Sequence, residues 1–93
     1  MSESIPELLK LLNNARELLS CYTGGISRNF NSAEDFLTCL TSSIERIENG
    51  NYEDLPQLYY WFAPTCDWDD IVGMEGMEIG NRVSELLSEI VEI

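Results

Sequence analysis

Asp67, Asp69 and Asp70 put three carboxylates within four positions, the kind of oxygen cluster that calcium and magnesium require. Their spacing does not complete a calcium loop. An EF-hand beginning at Asp67 needs an oxygen ligand where Ile71 sits, a glycine where Val72 sits and a glutamate where Glu78 sits, so only its first, third and twelfth positions agree. A capped helical turn explains the same residues more simply: Asp67 or Thr65 would accept backbone N–H groups, with Asp69 and Asp70 near the positive end. No metal site is expected. Paired carboxylates can also serve as acid and base, but only inside a cleft that pushes their pKa values apart, and no residue pattern points to one. Cys66 would be a nucleophile only with a base beside it; the chain has no histidine, and neighbouring carboxylates disfavour a thiolate. There is no glycine-rich phosphate loop either, so neither catalytic residues nor a cofactor are expected.

The carboxylates follow directly on an aromatic run, Leu58-Tyr59-Tyr60-Trp61-Phe62, which Ala63-Pro64-Thr65-Cys66 joins to Asp67-Trp68-Asp69-Asp70. Tyr60 and Trp61 fall off the face defined by Leu58, Tyr59 and Phe62, so at least one of them is expected to be half exposed, while Trp68 is expected in the core. Aromatics ringed by acids suit a contact with a basic protein: the rings supply buried anchors, and the charges supply steering and specificity. On this reading the contact residues are Tyr60, Trp61, Asp67, Asp69, Asp70, Glu75 and Glu78. Whole-chain charge agrees. Seventeen acids against five cations give a net charge of −12, well beyond the roughly 2–8 that suits a small soluble domain. Such a field repels nucleic-acid phosphates and anionic lipid, leaving a basic protein as the favoured partner. Acidity that serves solubility alone is the plainer alternative.

Elements that would hold these residues in place are legible from periodicity. Ninety-three residues, 44% of them hydrophobic, fit one folded domain, 1–93. Ser4 and Glu7 form a capping box, with Pro6 in the first turn, for a helix starting near residue 5. Ile5, Leu8, Leu12, Ala15, Leu19 and Tyr22 form its stripe, and Gly24-Gly25 ends it. In the following loop, Ile26 and Phe30 could fold back over the core, and Arg28 is one of the few cations. Ser32 caps a second helix with Glu34 and Asp35 in its first turn, Ala33, Phe36, Leu37, Leu40, Ile44 and Ile47 inward, and Asn49-Gly50 as its stop. Asp54 is expected to cap a third helix through Leu58 and Phe62, which Pro64 ends; a strand here would have no partner. Ile79, Val83, Leu86, Ile90 and Ile93 mark a last helix. Gly76, Gly80 and Ser84, four apart, offer a face for a close neighbour. The expected fold is all-α, a small bundle of about four helices.

Three cysteines, Cys21, Cys39 and Cys66, match no zinc spacing and are expected as reduced thiols. No apolar run approaches the roughly 20 residues of a membrane span, and no charged leader precedes one, so a cytoplasmic protein is expected.

Phe62-Ala63-Pro64-Thr65, Trp68-Asp69-Asp70 and Gly80-Asn81 together resemble a group of small, largely uncharacterised bacterial proteins. Those share an aromatic segment, Phe-Ala-Pro-Thr, a short variable step, Trp-Asp-Asp, and a Gly-Asn near a C-terminal helix. The resemblance covers the C-terminal third to half of the chain, and Cys66 stands in the variable step where glycine is more usual. It implies a cytoplasmic bacterial protein of the immunity or toxin-neutralising kind. The first expectation is therefore a non-enzymatic binding protein that sequesters a basic protein partner. Its rival is a small structural or regulatory domain that pairs with another copy through the glycine-faced last helix.

Overall fold

The computed structural model describes residues 4–25, 30–63 and 67–91, and among them the regular structure is all helical, with no strand. Five α-helices follow in order: α1 (Ser4–Leu19), α2 (Ala33–Glu48), α3 (Leu55–Phe62), α4 (Asp67–Ile71) and α5 (Met77–Val91). A single 3₁₀ turn, Gly73–Gly76, joins the last two. The Ser4 side chain, Ile26, Arg28, Pro64, Thr65, Cys66 and Ile93, each given a role above, lie outside what is described.

Local chemistry sets the boundaries. Ser32 is extended, and its hydroxyl accepts from the Asp35 N–H at 3.1 Å, starting α2 as its sequence demands. At the other end Gly50 takes φ +89°, its N–H donates to the Ile47 carbonyl at 3.0 Å, and the Asn51 N–H donates to that of Arg46 at 2.8 Å. Those two bonds make a Schellman stop. Asp54 holds the capping position of α3 but does not cap it: its carboxylate accepts from Arg46 Nε instead, clamping the α2–α3 corner. Pro56 lies in the first turn, where a missing N–H costs nothing. Gly73, at φ +66°, turns the chain from α4 into the 3₁₀ turn.

Helix directions follow from the contacts at their ends. Tyr22, just past α1, donates to Glu75, just before α5, so these two helices run antiparallel. The Gly24 carbonyl accepts from Ala33 N at 2.7 Å, and the Gly24 N–H donates to Glu34 Oε1 at 3.0 Å, which folds α2 back along α1. Phe36 near the start of α2 meets Phe62 at the end of α3, and α3 in turn packs on α5. The result is an up-and-down four-helix bundle, with α4 and the 3₁₀ turn as a bridge across one end.

The interior is filled largely by the stripes the sequence marks, Leu8, Leu12, Ala15 and Leu19 of α1, Ala33, Phe36, Leu40, Ile44 and Ile47 of α2, and Val83 and Leu86 of α5; Leu87, outside the expected stripe, is also buried, while Ile79 and Ile90 are only partly so. Cys21 and Cys39 are exposed, unpaired thiols. Among the described residues, Ser43 of α2 has a buried hydroxyl without a hydrogen-bond partner. No helix among the described residues is long and apolar enough to cross a membrane.

The α1–α2 corner carries a pH dependence. Hydrogen bonding from the Gly24 N–H, foremost, holds the Glu34 carboxyl below the usual carboxylate value. A depressed pKa stabilises the fold above the ordinary value of about 4.5 and loses that contribution as pH falls through the folded-state value. Glu34→Gln is expected to lower the melting temperature at neutral pH, with the difference from the parent chain shrinking as the pH drops through the carboxylate range. A difference that stays constant down to pH 2 would show that ionised Glu34 does not brace this corner.

Candidate functional site

The Trp-Asp-Asp segment forms α4, and its tryptophan points inward. Trp68 is fully buried, its ring centroid 4.9 Å from that of Phe62 and 6.2 Å, edge-on, from that of Phe36. Its indole Nε1–H donates to the Gly76 carbonyl at 2.7 Å, satisfying the one polar group a buried tryptophan carries. The Nε1 edge of the ring lies against two glycines. A Cβ at Gly76 would stand 2.7 Å from the indole and 2.6 Å from Val72 Cγ1, and a Cβ at Gly80 would stand 2.6 Å from Trp68 Cδ1. The face that Gly76, Gly80 and Ser84 were expected to offer a neighbouring helix is therefore taken by this chain's own tryptophan. Ser84 is buried beside it, its hydroxyl donating to the Asn81 carbonyl at 3.1 Å. Pairing of two copies through those glycines loses its geometric basis.

Trp61 is the second correction. It is 6% exposed, T-shaped against Phe30 at 5.1 Å and against Phe36 at 5.7 Å, and Phe30 stacks on Phe36 at 4.5 Å. Trp61 is thus part of an aromatic interior with Phe30, Phe36, Phe62 and Trp68, and it presents almost no surface to a partner. The reason is periodicity: Trp61 follows Leu58 by three residues, and Phe62 follows it by four, so both fall on one face, while Tyr59 sits at the margin. Tyr60 is the residue that faces water, at 61% exposure.

Asp67 is the third. It opens α4 and is 1% exposed, so it belongs to the interior of the turn and not to an acidic surface. A carboxylate in a first helical turn is favoured by the helix dipole, in line with the capped-turn reading of this segment. Asp69 is half-buried, while Asp70, Glu75 and Glu78 are exposed. The seven predicted contact residues therefore divide into an inner pair, Trp61 and Asp67, a marginal Asp69, and an outer set of Tyr60, Asp70, Glu75 and Glu78.

Glu75 is held in place. It accepts a hydrogen bond from the Tyr22 hydroxyl, and that bond, before any other cause, raises the Tyr22 pKa above the ordinary value of 10.0. The contact ties the 3₁₀ turn to the end of α1. Near Glu75 in sequence are two apolar side chains, Met74 and Met77, which are 86% and 47% exposed. Spacing alone does not mark them: it is the burial of Gly76 against Trp68, a tertiary contact, that leaves both methionines outside.

Charge is lopsided along the chain. Between Arg46 and Arg82 there is no cation, while Glu48, Glu53, Asp54, Asp67, Asp69, Asp70, Glu75 and Glu78 all fall in that interval. Of these, Asp54 is matched by Arg46. Among the described residues no three carboxylate or thiol groups converge as metal ligands would. A separate shallow cleft of about 190 Å³ runs between α1 and α5, with Leu11 and Leu86 flanked by Glu7, Arg82, Glu85 and Glu89. None of the predicted contact residues lines it. Comparison with protein-family models, curated proteins and solved structures finds no match to this chain.

Proposed function

We propose that this chain is a non-enzymatic binding protein that captures and neutralises a basic protein partner in the bacterial cytoplasm, in the manner of an immunity protein. The observation that carries the reading is the cation-free interval from Ile47 to Asn81, whose carboxylates Asp70, Glu75 and Glu78 are exposed on α4, the 3₁₀ turn and the first turn of α5. A fixed array of like charge on a chain of net charge −12 steers a basic protein toward it and raises the association rate by roughly 10–1000-fold at low salt. The resemblance carried by Phe62-Ala63, Trp68-Asp69-Asp70 and Gly80-Asn81 supports the toxin-neutralising form of this role. Nucleic acid and anionic membrane are disfavoured as partners by the same field.

Capture from a bacterial lysate at low salt tests the proposal. One basic protein should co-purify, leave the column in a salt step, and be largely lost when Asp70→Asn and Glu78→Gln are combined, with the melting temperature of the variant unchanged or raised. Recovery of the chain alone, or of a partner indifferent to both salt and the two substitutions, would refute it.

A further inference from the structure

The 3₁₀ turn and the first turn of α5 present two methionines side by side. Met77 N–H donates to the Met74 carbonyl, and residues three apart on a 3₁₀ turn eclipse one another, so both thioethers lie on one outward face. Single exposed apolar residues are ordinary on any protein surface. Here, though, the pair is set on a turn whose inner side is closed by the Gly76 contact with Trp68, and whose flank is tied to α1 through Glu75 and Tyr22. The backbone that carries them is braced by those contacts. Methionine is flexible and polarisable and accepts apolar partners of varied shape, which makes it well suited to a docking surface.

The charges around this face choose its occupant. Asp70, Glu75 and Glu78 are exposed, Glu75 and Glu78 each following a methionine directly and Asp70 preceding Met74 by four residues, and no cation of the chain falls between Arg46 and Arg82. A second copy of this chain, itself at −12, would bring like charge to like charge, and an anionic lipid surface would do the same. We infer that Met74 and Met77 form the docking face for a cationic, amphipathic protein segment, one that lays apolar side chains on the two thioethers and directs Lys or Arg toward Asp70 and Glu78. This rests on the reading above of a basic protein partner and names the segment of that partner which the site would take.

The chain contains three methionines, so selective labelling of their methyl groups gives three carbon-13 signals, assigned by Met74→Gln and Met77→Gln. The probe is a leucine–lysine amphipathic model helix at low salt, with a second peptide of equal charge whose leucines are replaced by serine. The leucine–lysine peptide should shift the Met74 and Met77 signals and leave Met1 in place. It should bind at least tenfold more tightly than the serine peptide, and should lose about tenfold in affinity when Met74→Gln and Met77→Gln are combined. Both positions are exposed, so a melting curve like the parent's confirms that the double variant is folded. Methionine signals that stay put overturn the docking face. If the peptide then binds elsewhere on the acidic surface, the basic-partner reading stands without it; if it does not bind, the salt-sensitive capture decides that reading separately. Signals that move with protein concentration in the absence of peptide would assign the face to self-association and likewise overturn the inference.

Discussion

Trp68→Ala is expected to cost about 3–5 kcal/mol of folding stability, the range for removing a large buried aromatic side chain. Small domains have only about 5–15 kcal/mol in total, so the variant would be marginal at 37 °C. Three losses combine. Aromatic contacts to Phe36 and Phe62 disappear, the Gly76 carbonyl loses the indole donor, and a void opens beneath α5 that Gly76 and Gly80, having no side chains, cannot fill. Trp68→Phe restores part of the volume but not the donor and should fall between the two. Urea unfolding followed by far-ultraviolet circular dichroism checks this; a Trp68→Ala cost under 1 kcal/mol would mean that the indole is not the piece that joins α4 to α5. Trp61→Ala belongs to the same class, since its ring is also interior.

The second large effect is Gly80→Ala, for which two physical arguments disagree in sign. Helix propensity alone favours alanine by about 1 kcal/mol at a helical position. Packing opposes it, because the new Cβ would stand 2.6 Å from Trp68 Cδ1 and 2.9 Å from its Nε1, and overfilling a tight core costs typically about 1–3 kcal/mol. Packing should win. Trp68 cannot swing aside cheaply, because its ring is bonded to the Gly76 carbonyl and walled by Gly76 on the same side. The expected result is a net loss of about 1–2 kcal/mol, and most of it should vanish in a Trp68→Phe background, where the ring is smaller. A Gly80→Ala chain more stable than its parent would contradict the close contact.

These two residues show what could be read from the sequence and what could not. Helix placement was legible, because Ser32 capping, the Asn49-Gly50 stop and the three-and-four spacing of Leu8, Leu12, Ala15 and Leu19 are local signals that the fold obeys. So was the inward role of Trp68. Trp61 was not, because a helix of eight residues admits more than one apolar stripe: Tyr59 suggested one boundary, and Leu58 with Phe62 fixed another. Which stripe wins depends on Phe30 and Phe36, more than twenty residues earlier in the chain, and periodicity within α3 carries no information about them. Asp54 is similar. Its position before α3 is that of a cap, but Arg46 one turn before the end of α2 competes for the carboxylate and takes it. Gly76 and Gly80 were recognised as a close-approach face; that the approaching group is the Trp68 side chain and not another helix follows only from the turn at Gly73, which folds α4 back onto α5.

For the candidate site the same separation holds. Composition led to the expectation of an acidic contact surface; of the residues expected there, Asp70, Glu75 and Glu78 are exposed, while Trp61 and Asp67 lie in the interior. Exposure of Met74 and Met77 depends on the inward rotation of Gly76, a tertiary consequence of the Trp68 contact. The aromatic and acidic segment that dominates the sequence is thus mostly scaffold, and the short turn it braces is the part left exposed.

The most direct test is the association rate between this chain and a basic protein recovered in the proposed low-salt capture, measured by stopped-flow fluorescence across ionic strength. Electrostatic steering predicts a rate that falls by at least tenfold from low to physiological salt, and a smaller fall for the combined Asp70→Asn and Glu78→Gln variant, while dissociation changes little. An association rate that is flat in salt and unaltered by the two substitutions would contradict the account, leaving the net charge of −12 as a matter of solubility.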